Sequence, residues 1–239
     1  RTNAHTAHLA INELAWDGTD MTRRRLLWIT PTAIWLLFTF WYTDFGGPLT
    51  DEEIAVGIEK VRSQGYGAQQ ISDLEAFLKS DTGRQFLMVN NIDMNDNPPQ
   101  MPGFGPDATA SDYVNHYMEH MFPQLLKRAC HPIFMGAGLS YDNDVAGVGE
   151  AAASGWDTAA LFRYRSRRSL LEVIAHADTQ GRHEYKIAAM VKTITYAVEP
   201  RLYVSDLRFI LLLVFGLVTA LADILFFGRS TNTRVANPQ

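Results

Sequence analysis

The chain has 239 residues, 47% of them hydrophobic, and carries 26 acidic against 21 basic side chains for a formal net charge of −5. Its single cysteine, Cys130, excludes an internal disulfide and a multi-cysteine zinc site. Between Asp44 and Asp206 the balance is 22 acidic to 14 basic residues, and so acidic a segment repels nucleic acid and excludes it as an expected partner.

Residues 1–20 contain no methionine, whereas Met21-Thr-Arg-Arg-Arg25 reads as a natural start. The first twenty residues are therefore expected to be an upstream, non-native or disordered segment. Residues 21–43 follow as a transmembrane signal anchor. Leu26 to Thr43 carries no charge, and about 20 apolar residues suffice to cross a bilayer core. No small-x-small cleavage pattern follows the apolar run, so the anchor is retained. Arg23, Arg24 and Arg25 precede it and Asp44, Asp51, Glu52 and Glu53 follow it, which orients the helix from cytoplasm to outside.

Residues 44–83 read as a helical collar. Thr50 with Glu53 makes a capping box for a helix to Ser63, with Ile54, Ile58 and Val61 on one face. A second short helix spans Gln69 to Lys79. Residues 84–200 then hold the main domain. Strands are predicted at Phe86–Asp93, His131–Ala137, Asp157–Arg165 and Lys192–Val198, each an apolar or alternating run between turn residues. The helix Ser111–Arg128 is expected to kink or stop at Pro123. A second helix, opened by Ser166, runs to Met190 with a break near Asp178–Gly181. The stretch Asp96–Pro106, with four prolines, and the glycine-rich Gly138–Gly155 are loops. Residues 201–228 contain a second transmembrane helix, Phe209–Phe227, charged only at Asp223, and 229–239 form a tail with Arg229 and Arg234. Both termini are thus expected in the cytoplasm of a bacterium, with the domain outside its inner or plasma membrane.

The order strand, helix, strand, strand, helix, strand is the split βαβ pattern of an α+β, ferredoxin-like domain: one antiparallel sheet with two helices on one face. The other face then needs cover, and a second copy of the sheet supplies it. Three stretches resemble an uncharacterised family of the dimeric α/β-barrel superfamily: Phe86-Leu-Met-Val-Asn90, Tyr113 through Pro123-Gln-Leu-Leu126, and Trp156 through Tyr164 followed by Ser166-Arg-Arg168, Asp178-Thr-Gln180 and His183. The resemblance covers residues 84–200 and implies a fold and a homodimer rather than a reaction. It further implies that enzymes of the wider superfamily, oxygenases and isomerases among them, use a pocket between sheet and helices.

Five residues stand out as ligand-binding candidates: Asn90, Tyr113, His116, Arg163 and His183. Asn90 is a polar residue on an apolar strand, which a buried site pairs with a partner or a ligand. His183 is carried over from the resemblance. Tyr113 and His116 project near Tyr117, His120 and Met121 on one helix. Arg163 belongs to a basic cluster with Arg165, Arg167 and Arg168, more simply explained by salt bridges to nearby carboxylates. His116-Tyr-Met-Glu-His120 matches H-x-x-E-H, in which two histidines at i and i+4 share a zinc. Five residues on a helix of this kind carry little weight, and no metal or cofactor is expected. The reading favoured is a non-catalytic accessory or small-ligand-binding subunit. It is tethered to the bilayer, self-associating through its sheet and open to membership of a larger membrane complex. The alternative is a superfamily-type enzyme working on a small molecule or haem near Asn90 and His183.

Overall fold

The computed structural model describes residues 18–139 and 145–228. The expectations for residues 1–17, for part of the glycine-rich loop and for the tail from residue 229 lie outside the described residues. In chain order the elements are α1 (Gly18–Tyr42), α2 (Asp51–Ser63), α3 (Ala68–Lys79), β1 (Phe86–Met94), α4 (Ala110–Lys127), β2 (His131–Ala137), α5 (Glu150–Ala153), β3 (Thr158–Tyr164), α6 (Arg167–Ile174), α7 (Ala177–Ala188), β4 (Met190–Val198) and α8 (Leu207–Phe227). They divide into two compact units, one holding α1 to Phe40 together with α8, the other running from Trp41 to Tyr203.

In the first unit, α1 and α8 lie antiparallel. The Arg24 guanidinium, early in α1, donates to both carboxylate oxygens of Asp223, late in α8, at 2.7 Å each. At the other end the Trp35 indole donates to the carbonyl of Arg208 at 2.7 Å. The charge inside the apolar run of α8 is thus met by a fork that matches its geometry. With a mean hydropathy of 2.6 over its apolar stretch, α8 is the one helix among the described residues that is long and apolar enough to cross a membrane. α1 is longer, but Thr30, Pro31, Thr32 and Thr39 interrupt its apolar run. Pro31 sits inside the helix, and the Thr32 hydroxyl donates to the Trp28 carbonyl at 2.8 Å.

The second unit is α+β. Its four strands form one open antiparallel sheet in the order β2-β3-β1-β4. The chain joins β1 to β2 through α4 and β3 to β4 through α6 and α7. Alternation sends Phe86, Met88, Phe162, Tyr164 and Ala197 to one face, where they pack with Met121 and Leu125 of α4 and Leu170 and Val173 of α6. Phe86 and Tyr164, directly opposed in register, stack with ring centroids 5.1 Å apart. The collar helices α2 and α3 bury Ile54, Ile58, Val61, Ile71 and Leu78 against Leu171 of α6. Gly57 permits that approach, since a Cβ there would stand 2.2 Å from the Leu171 side chain. The capping box is present: Thr50 Oγ1 accepts from the Glu53 N–H, and the Glu53 carboxylate from that of Thr50.

The opposite face is a different surface. In register across the sheet run Tyr196, Val89, Leu161 and Phe134, and beside them Ile194, Asn91, Ala159 and Gly136. None of these eight is charged. Phe134, Tyr196 and Ile194 are 52%, 49% and 48% exposed. The end near Arg163 is covered by the Tyr42 ring, whose centroid lies 3.5 Å from the guanidinium carbon; at the other end Lys192, paired with Asp93, donates to the Ala151 carbonyl of α5 at 2.8 Å and lies 4.8 Å from the Trp156 ring.

Three expectations need correction. Pro123 does not end its helix, because α4 continues to Lys127. A proline costs a helix one N–H bond and a local clash, and the buried Met121 and Leu125 on either side hold the last turn in place. The long helix from Ser166 breaks at Ala175–His176 rather than at Asp178–Gly181, and two helices result. The loop Gly138–Gly155 contains the short helix α5, and the N–H of Gly138 donates to the Asp157 carbonyl at 2.7 Å, extending the β2–β3 pairing by one bond.

Candidate functional site

The five sequence candidates occupy three places. Asn90 is buried on the helix-facing side of β1. Its amide donates to the Met88 carbonyl at 3.1 Å and its oxygen accepts from Thr195 at 3.2 Å, so its side chain is satisfied within the sheet. Arg163 is fully buried toward the other face. It donates to Gln85 Oε1 at 2.8 Å, to the Ala129 carbonyl at 2.6 Å and to the Tyr42 carbonyl at 2.8 Å. Tyr42 in turn shares a 2.7 Å hydrogen bond with His131. The neighbouring arginines join carboxylates: Arg168 reaches Glu53 at 2.8 Å and Asp44 at 3.2 Å, and Arg167 lies 3.7 Å from Asp81. Burial alone would raise the Asp44 carboxyl, but the hydroxyl of Ser166, the N–H of Gly46 and the Arg168 guanidinium hold it below its ordinary range. This cluster ties the segment after α1 and the collar to the sheet. Its bonds are a structural use of the basic residues.

Tyr113, His116 and His183 belong to the layer formed by α4 and α7. Tyr113 is fully buried, and its hydroxyl donates to the Pro99 carbonyl at 3.0 Å while accepting from the Met101 N–H at 3.1 Å. It meets Phe104 and Tyr185 edge to face, and the His116 ring packs on Tyr185 at 4.7 Å between centroids. His120 turns elsewhere, to the Thr179 hydroxyl at 3.3 Å and to the His176 ring at 5.2 Å. The two histidines of H-x-x-E-H therefore keep different company. No group of three or more His, Cys, Asp or Glu among the described residues is placed to hold a metal ion.

His183 stands in a second cluster, whose other members the sequence did not single out as ligand-binding. Its ring lies 6.2 Å from that of Tyr117 on α4, edge to face, and the Lys186 ammonium lies 5.8 Å from the same Tyr117 ring. His183 also lines a cavity of about 650 Å³ with Gln64, Tyr66, Met101, Glu184 and Ile187. Burial pushes the Tyr117 hydroxyl up to about 12 and the Lys186 ammonium down. Burial and then the Lys186 charge push the His183 ring down. The available signal in sequence was the i, i+3 pair His183–Lys186 on one helix opposite Tyr117. Tyr66, in the turn between α2 and α3, gave none.

No protein-family model matches the chain, and no characterised protein matches it. Among solved structures it is similar to RPA0582, a protein of unknown function from Rhodopseudomonas palustris, with a TM-score of 0.46 and 14% identity over 58% of this chain and 96% of that one. The methylated form of RPA0582 gives a TM-score of 0.45 and 14% identity over 59% and 96%. Likeness at this level assigns no role to any residue here.

Proposed function

We propose that the chain is a membrane-tethered, ferredoxin-like module of dimeric α/β-barrel type. In this reading two copies meet through their open sheet faces, and the assembly serves as a non-catalytic accessory or small-ligand-binding subunit of a membrane complex. One observation carries it: the uncharged row Tyr196, Val89, Leu161 and Phe134 across four strands, half exposed at both ends. An apolar sheet face of this kind is stable in water only when covered. A second copy is the occupant the charge pattern favours. The rest of the unit is acidic enough to repel another copy, so copies can approach closely only where charge is absent.

The strand order β2-β3-β1-β4 with helices on one face supports the ferredoxin-like reading. The antiparallel pair α1 and α8, with apolar side chains such as Leu37 and Leu225 outward, supports two membrane spans. The arginines at 23–25 support a topology with both termini in the cytoplasm and residues 44–207 outside it. Two spans per copy hold partners in one plane and raise their effective concentration. The enzyme reading, which needs Asn90 and His183 in one pocket, finds Asn90 bonded within the sheet and His183 lining the helix-layer cavity. The test is the protein mass of the full chain in detergent, corrected for bound detergent. A dimer is expected for the natural sequence and a monomer for Phe134→Asp. A monomer in both would remove the proposal.

A further inference from the structure

The helix layer holds four polar side chains that stand together. Tyr66, Tyr117, His183 and Lys186 come from the α2–α3 turn, from α4 and from α7. Among the described residues no hydrogen bond or ion pair engages the two hydroxyls, the imidazole or the ammonium. Their neighbours on the same helices are bonded, which makes the contrast local. Tyr113 uses its hydroxyl twice, His120 meets Thr179, and Arg182 donates to the His116 carbonyl at 3.0 Å. A half-buried ammonium without a carboxylate partner is costly. Chains tolerate such a group where a ligand completes it.

We infer that this cluster, with the cavity beside it, binds a small monocarboxylic acid that has a flat or apolar body. Lys186 supplies the charge and His183, Tyr66 and Tyr117 supply further donors, so every polar atom that the cluster can offer suits an anionic oxygen. The walls suit the body: the Tyr66 ring, Met101 and Ile187 are apolar surfaces lining a space of about 650 Å³, a size typical of small-molecule sites, and the Tyr117 ring stands beside His183, 6.2 Å between centroids. The carboxylate at the rim, Glu184, is exposed. It disfavours a dianion and leaves a single negative charge, met by Lys186, as the matched ligand. The inference rests on the ligand-binding part of the reading above and is independent of how copies assemble.

The test uses the full chain in detergent, titrated with benzoate and with butyrate and followed by heat of binding, the mass being measured on the same sample. Saturable binding of at least one acid is expected below ~20 mM, in the weak range for a fragment-sized ligand. Lys186→Met should weaken it about tenfold or more, the loss of one charge-assisted hydrogen bond, and Tyr117→Phe by a smaller factor. Lys186→Met should also melt no lower than the natural chain, because an unpaired half-buried charge has been removed, and that rules out misfolding as the cause. Absence of saturable binding by both acids overturns the inference, as does binding undiminished in Lys186→Met. A monomeric mass with benzoate bound would sustain this site and sink the self-association.

Discussion

Among the described residues Arg163 is the largest fully buried side chain, and its removal gives the most informative perturbation. Its guanidinium satisfies the carbonyls of Ala129 and Tyr42 and the oxygen of Gln85. It also lies over the Tyr42 ring at 3.5 Å. Arg163→Met keeps most of the volume and deletes every donor. Two buried carbonyls that lose this charged donor cost about 1–3 kcal/mol each. The lost cation–π contact adds ~1–2 kcal/mol in a desolvated setting. Against this stands a gain from no longer burying a charge, which in other proteins offsets part or all of such a loss. The expected balance is a destabilisation of about 2–4 kcal/mol, within the range of a buried network broken on one side. Arg163→Lys should not restore it, since one ammonium cannot reach three acceptors that a planar fork spans. Thermal unfolding of the full chain in detergent, followed by circular dichroism, reads the shift in Tm. A loss below ~1 kcal/mol in the Met variant, or full rescue by Lys, would refute the account of Arg163 as the tie between the Tyr42 segment, the turn after α4 and the sheet.

Other outcomes follow from single contacts. The Arg168 guanidinium, then the Thr50 N–H, hold the Glu53 carboxyl down to about 2 from an ordinary 4.5. Its contribution is therefore complete above pH 4.5 and is lost as pH falls toward 2. Because Glu53 is 40% exposed, the loss is on the order of 1 kcal/mol, and Glu53→Gln should flatten stability against pH in that window. In α1 and α8, Arg24→Asp and Asp223→Arg should each lower the Tm in detergent, and the double exchange should recover most of it. Equal melting of all four chains would show that the pair contributes nothing. For H-x-x-E-H, the purified protein should hold no stoichiometric zinc, and His120→Gln should change stability by about 1 kcal/mol. One zinc per chain, lost in that variant, would restore the metallopeptidase reading.

Much of the fold was legible because local rules and tertiary packing agreed. β1 and β2 start where turn residues give way to β-branched and aromatic runs, and the Thr50 box marks α2 to the residue. The rules failed where packing outweighed them. Pro123 sits inside α4 because Met121 and Leu125 are anchored in the core, and a four-residue helix such as α5 is too short to display a periodicity. For the site, alternation placed Asn90 and Arg163 on faces but could not show that both were satisfied. Their partners, Thr195, Gln85 and the Ala129 and Tyr42 carbonyls, come from distant parts of the chain. Lys186 was invisible for the converse reason. A lysine is informative when it lacks a partner, and a lack of contacts is a property of the fold.

The central claim, that two copies meet across the open sheet face, is tested most directly by cross-linking at its middle. Leu161 lies at the centre of the apolar row, and the natural Cys130 is fully buried, so the unsubstituted chain serves as the control. Membranes holding Leu161→Cys, treated with a mild oxidant, should yield a disulfide-linked dimer on a non-reducing gel, with none from the control or from Glu172→Cys on the helix side. Equal cross-linking at Leu161 and Glu172, or none at Leu161, would contradict the account.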